Sequence, residues 1–160
     1  MPKFNCPLLI VDVQAAFFIP PEILANIERY SKNFERRIFT RFVNPPKSIF
    51  RRKLGRDACA PGSPDVRLLI KPEPGELVFD KKGYGLSPAQ VRRLKAEGVS
   101  KVIVCGMDTD ACVLGVMYSL FDRGIDCRLA PRQYCYSSQQ LDEEARKIMK
   151  EQFPVLNSKR

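Results

Sequence analysis

Three residues of this chain could do chemistry together: Asp12, Lys81 and Cys112. Cys112 follows the run VIVCGM (102–107) and the acid-flanked turn DTD (108–110), and a second apolar run begins at Val113. A cysteine in the first turn of a helix meets free backbone N–H groups and the positive end of the helix dipole, both of which favour a thiolate. A nearby ammonium lowers a thiol pKa further, and a nearby carboxylate can take the thiol proton. Nucleophile, proton acceptor and cationic partner are the elements of covalent catalysis without a histidine, which this chain lacks entirely. Each residue also has a plainer reading. Cysteine is often just a small buried apolar residue, an aspartate after a strand often caps a turn, and Lys81 is followed by a second lysine, Lys82.

The elements that must position these residues can be read from periodicity. PLLIVDV (7–13) is a continuous apolar run of strand length, as in a strand buried on both faces. Residues 21–34 carry Ile23, Leu24, Ile27, Tyr30 and Phe34 at helical spacing behind Pro20 and Pro21. RRIFTRFV (36–43), ELVFDK (76–81), KVIVCGM (101–107) and residues 127–131 read as further strands. Pro88–Gly98 reads as a helix capped by Ser87, and 111–123 and 139–152 as two more, with a short last strand expected at 153–156. Residues 44–64, rich in Pro, Gly and basic side chains, read as a long loop. Alternating strands and helices predict a single α/β domain over 1–160: a three-layer α/β/α, Rossmann-like parallel sheet of five to six strands. In such sheets ligands bind beyond the carboxyl ends of the strands. Asp12, Lys81 and Cys112 fall at the ends of the first, third and fourth strands.

Composition narrows the function classes. Apolar residues make up 44% of the 160-residue chain, enough for an ordinary core. No apolar run approaches the ~20 residues that span a bilayer, and the N-terminus lacks a signal-peptide cleavage site. A cytoplasmic location with reduced thiols is therefore expected, and no membrane partner. The six cysteines form no CxxC pair, and with no histidine a zinc site is not expected. The net charge of +9 favours anionic partners, with its densest patch in SIFRRKLGR (48–56). No nucleic-acid-binding signature accompanies that patch, so no nucleic acid is expected.

LLIVDVQAAFF (8–18), FDKKGYGLS (79–87) and VCGMDTDACVLGVMYSLFDRGIDC (104–127) together resemble the isochorismatase-like cysteine hydrolases, a family that includes nicotinamidases and carbamoylases. RRIFTRFVNPPKS (36–48) and PRQYCYSS (131–138) resemble that family's second strand and the turn after its fifth. The resemblance implies a catalytic Asp12–Lys81–Cys112 triad, with Lys81 chosen over Lys82 because Tyr84 stands three positions beyond it. It also implies a non-proline cis peptide at Met107–Asp108 and an oxyanion hole formed by the N–H groups of Asp108 and Cys112. The reaction implied is hydrolysis of a small-molecule amide through a thioester, without cofactor, by a homo-oligomer, either dimer or tetramer. The nicotinamidases bind a metal through an aspartate and histidines, which this histidine-free chain cannot reproduce, and authentic isochorismatases typically lack the cysteine that is present here. Gln14, Phe17 and Tyr84 are expected to contact substrate. Arg51 and Arg52, from the basic loop, are expected to hold a negative charge on it. The competing readings are a non-catalytic binding protein on the same scaffold and a thiol redox sensor in which Cys105 or Cys135 resolves an oxidised Cys112.

Overall fold

The apolar run Leu8–Val11 forms β1, with all four residues buried. The computed structural model describes residues 6–154. In chain order the elements after β1 are α1 (Pro21–Ser31), β2 (Arg37–Phe42), α2 (Ile49–Leu54), β3 (Leu77–Lys81), α3 (Pro88–Ala96), β4 (Lys101–Met107), α4 (Leu114–Phe121), β5 (Asp126–Leu129), β6 (Cys135–Tyr136) and α5 (Gln139–Gln152). The strands form one parallel sheet in the order β3-β2-β1-β4-β5, with β6 pairing β4 at Gly106 and Met107. Chain order reverses at β1, which lies between β2 and β4. A crevice therefore opens beyond the carboxyl ends of β1 and β4.

Alternation along β1 sends Leu9 and Val11 to one face and Leu8 and Ile10 to the other. Leu9 and Val11 join Val91 and Leu94 of α3, Val116 and Leu120 of α4, and Ala145 and Met149 of α5. Leu8 and Ile10 join Ile27 of α1 and Phe39 of β2. Helices thus cover both faces, as expected. Ser87 caps α3 in a complete capping box with Gln90.

Gly106 brings β4 against β1. Its φ is +114°, and a Cβ there would lie 2.2 Å from the Val11 carbonyl oxygen. Any side chain would push β4 away from the strand that carries Asp12.

Three expectations are corrected. The segment 44–64 is not plain loop but holds α2, with Ser48 Oγ accepting from the Arg51 N–H at its start and left-handed Gly55 (φ +60°) closing it. The helix expected from residue 111 opens instead with a π turn over Thr109–Val113 before α4. Phe153 and Pro154 form no strand, and 155–156 lie outside the described residues. Phe153 packs edge-on against Tyr118 and Phe121, and Pro154 has no N–H for a ladder. The last strand is β6, whose pairing replaces that of β5 along the end of β4.

Candidate active site

Asp12 leaves β1 with φ +50°, a left-handed conformation uncommon outside glycine. Thr40 of β2 holds it there. The Asp12 N–H donates to the Thr40 carbonyl, and Thr40 Oγ1 donates to Asp12 Oδ1 at 2.7 Å. The side chain is fully buried and turned toward β3. There Lys81 closes the strand, paired with Phe42 in register. Lys81 Nζ lies 2.6 Å from Asp12 Oδ2 and donates to the Gly83 carbonyl at 2.8 Å. Lys81 is 2% exposed, whereas Lys82 faces solvent, so strand alternation selects the inward lysine.

Cys112 lies on the π turn, with its thiol near enough to Asp12 and Lys81 to feel the charge of both. Burial would discharge Lys81, but the Asp12 carboxylate and the Cys112 sulfur outweigh it and hold the ammonium above its ordinary range. The thiol itself departs from expectation. Burial, and then the Asp12 carboxylate, push Cys112 up to about 12 against the pull of Lys81. The resting group is therefore a thiol beside a carboxylate, not a preformed thiolate. The expected thiolate fails because an ion pair already neutralises Lys81 and the thiol is largely buried.

A cavity of about 330 Å³ opens onto Cys112, between aromatic walls of Phe17, Phe42, Phe50 and Tyr84. Phe42, Phe50 and Tyr84 stack edge to face in sequence. Tyr84 is set by close backbone approach: a Cβ on Gly115 of α4 would fall 2.8 Å from the Tyr84 Cβ. Arg56 and Asp108 complete the wall with Met107, and the bond between Met107 and Asp108 is cis, as expected. A larger, open groove of about 960 Å³ runs beside β3 between Arg41 and Lys71, and it contains none of these three central side chains.

Of the residues expected to touch substrate, Phe17 and Tyr84 line the cavity and the others do not. Arg51 turns back on its own loop, pairing with Asp57 at 3.3 Å and donating to the Asn44 carbonyl. Arg52 is exposed on α2. Arg56, four residues on, is the basic side chain at the cavity, and the closure of α2 at Gly55 was the signal for it.

Gln14 is a structural clamp. It is fully buried, its Oε1 accepts from the Phe42 N–H at 2.7 Å, and its Nε2 donates to the carbonyls of Phe42 and Val66. Gln14→Leu should destabilise the protein by about 2–4 kcal/mol in urea unfolding, because these backbone groups lose their partners. A substrate contact would instead raise KM and leave the unfolding midpoint in place.

Cys105 and Cys135 sit in the core on the other face of the sheet from the cluster that Cys112 joins. That separates them from Cys112 and removes the resolving thiol the redox reading needs. All six cysteines are free.

Asp108 carries an electrostatic cost. Burial, then Asp110 and Asp12, push its carboxyl up to about 6, while Arg56 pulls it down. The folded state therefore holds this proton more tightly than the unfolded chain does. Stability contributed by the protonated form is present at low pH and is lost as pH rises from about 4 through 6. Asp108 packs along the cavity wall yet keeps part of its surface in solvent, so Asp108→Asn should stabilise the protein by only roughly 1 kcal/mol at pH 7. Urea unfolding should show that gain shrinking as pH falls through 6 toward 4, and a constant gain would contradict the assignment.

The isochorismatase domain matches residues 6–158, nearly the whole chain. This protein belongs to the isochorismatase family. Solved structures with the same fold include the pyrazinamidase of Pyrococcus horikoshii in complex with zinc, at 20% identity and TM-score 0.82, covering 92% of this chain and 95% of that one. N-carbamoylsarcosine amidase from Thermoplasma acidophilum aligns at 18% identity and TM-score 0.78, over 94% and 93% of the two chains. Nicotinamidase from Bacillus subtilis aligns at 14% identity and TM-score 0.77, over 96% and 97%. No curated protein sequence matches the chain. As an isochorismatase-family hydrolase it differs in one respect from what a zinc site requires. It has no histidine, and among the described residues no group of three or more Cys, Asp or Glu side chains is arranged to hold a metal. Its residues do not fit a bound zinc. Among the described residues, no helix is long and apolar enough to cross a membrane.

Proposed function

We propose that this isochorismatase-family hydrolase cleaves the C–N bond of a small amide through a thioester on Cys112, using no metal. The observation that carries the reading is the contact of the Cys112 thiol with the buried Asp12–Lys81 pair at an open cavity.

In the proposed reaction Cys112 Sγ attacks the amide carbonyl as its proton passes to the Asp12 carboxylate. Because the resting group is a thiol, the base is required on every turnover. Lys81, held charged, stabilises the anionic sulfur as the proton leaves. Negative charge moves to the carbonyl oxygen of the tetrahedral intermediate, where the N–H groups of Asp108 and Cys112 would receive it. Collapse breaks the C–N bond, and the amine leaves with the proton from Asp12. Asp12 then takes a proton from water as the hydroxyl attacks the thioester carbon. The carboxylic product departs and the thiol regains its proton.

Ammonia release across a panel of short primary amides tests the reading. Turnover by the wild type, lost in Cys112→Ala, is the expected result. Binding of the amides without turnover would instead favour a non-catalytic member on the same scaffold.

A further inference from the structure

Resting on the amidase reading, we infer that the preferred substrate is a small amide carrying a carboxylate, and that Arg56 at the cavity rim is the residue that selects it. Arg56 lines both the cavity at Cys112 and the adjoining one beside Tyr118, so it stands where the two meet. Its backbone is fixed. The Arg56 N–H donates to the Phe50 carbonyl at 3.0 Å, closing α2, and its own carbonyl accepts from Asn44 Nδ2 at 2.8 Å. Asn44 is fully buried, and its N–H donates to the Cys59 carbonyl, which ties the two ends of the 44–59 segment together. The arm that carries Arg56 is therefore pre-organised, which lowers the ordering cost of binding.

The charges around the cavity leave Arg56 available. Among the described residues it has no carboxylate within ion-pair distance, whereas Arg51 of the same segment is paired with Asp57. Deeper in, Asp12 and Lys81 neutralise each other. Two acids share the cavities with Arg56: Asp108 at the one beside Cys112, and Asp110, which accepts from Ser137 Oγ, at the one beside Tyr118. The remaining walls are largely aromatic and make few polar contacts of their own. A guanidinium offers a carboxylate two parallel N–H donors, which fixes orientation as well as charge. Holding the carboxylate at the rim leaves the amide end directed to Cys112.

The test pairs anionic amides with neutral amides of matched length: malonamate, succinamate and glutaramate against propionamide, butyramide and valeramide. In the wild type, at least one anionic member should exceed its neutral match about tenfold in kcat/KM. Arg56→Ala should raise KM for that anionic amide about 30-fold or more and change the neutral one less than about threefold. Arg56→Lys should restore part of the loss, because charge returns without the bidentate fork. Calorimetric titration with the product dicarboxylates needs no turnover. Binding to the wild type that weakens at least tenfold in Arg56→Ala supports the inference even if no amide is cleaved, in which case only the amidase reading falls. Equal effects of Arg56→Ala on both amide classes, or dicarboxylate binding that is absent or indifferent to Arg56, would overturn it and leave amide turnover standing.

Discussion

Removing one member of the buried ion pair should be the most damaging single change to this molecule. Lys81→Met leaves the Asp12 carboxylate inside the fold with Thr40 as its remaining strong donor, and Asp12→Asn leaves an uncompensated ammonium at Lys81. Both groups are essentially inaccessible to water, so neither can be resolvated without opening the site. Loss of one partner from such a pair costs about 3–5 kcal/mol. The double variant Asp12→Asn/Lys81→Met removes both charges and should regain much of that stability while remaining inactive. Urea unfolding of the four proteins gives the coupling directly. Strict additivity of the two single changes would mean the pair is not the electrostatic unit described here.

Cys112→Ala should have the opposite profile, with activity lost and the fold kept. Removing a nucleophile from a concerted catalytic group lowers kcat by about 10⁴–10⁶-fold. The thiol is small and borders the open cavity, so its deletion enlarges existing space more than it creates a new buried void, and the thermal midpoint should move by no more than a few degrees. Cys112→Ser keeps a hydrogen-bonding group of similar size and should be nearly as inactive, because a hydroxyl beside Asp12 is a far poorer nucleophile than sulfur. Retention of more than about a tenth of wild-type ammonia release in either variant would remove Cys112 from the mechanism.

Much of this arrangement was legible in the sequence because it depends on strand ends. A continuous apolar run of strand length such as PLLIVDV reads as a strand covered on both sides, and its end puts Asp12 at the rim of the sheet. The same logic placed Lys81 and Cys112, and the observed strand order brings all three to one crevice. What was not legible depended on contacts distant in sequence. Gln14 looks like a polar residue after a strand, and only the folding of 42 and 66 around it makes it a clamp. Thr40 orients Asp12 across a strand pair, which no local pattern announces. The basic run 48–56 showed that cations gather near the site but not which one faces it. That depends on how six-residue α2 closes at Gly55. The raised thiol is not visible in the sequence, where the helix start and the neighbouring cation are in view but burial and the carboxylate that the cation already serves are not.

The central claim is that acyl transfer passes through Cys112, and rapid acid quench during turnover tests it most directly. The wild-type enzyme should be mixed with an amide it hydrolyses, quenched within one turnover, digested and weighed by mass spectrometry. The account predicts that the peptide containing Cys112 gains the mass of the acyl group, that hydroxylamine removes it, and that the adduct appears as fast as the first equivalent of ammonia. Ammonia release in a burst with no acyl group on Cys112, or with the group on another residue, would contradict it.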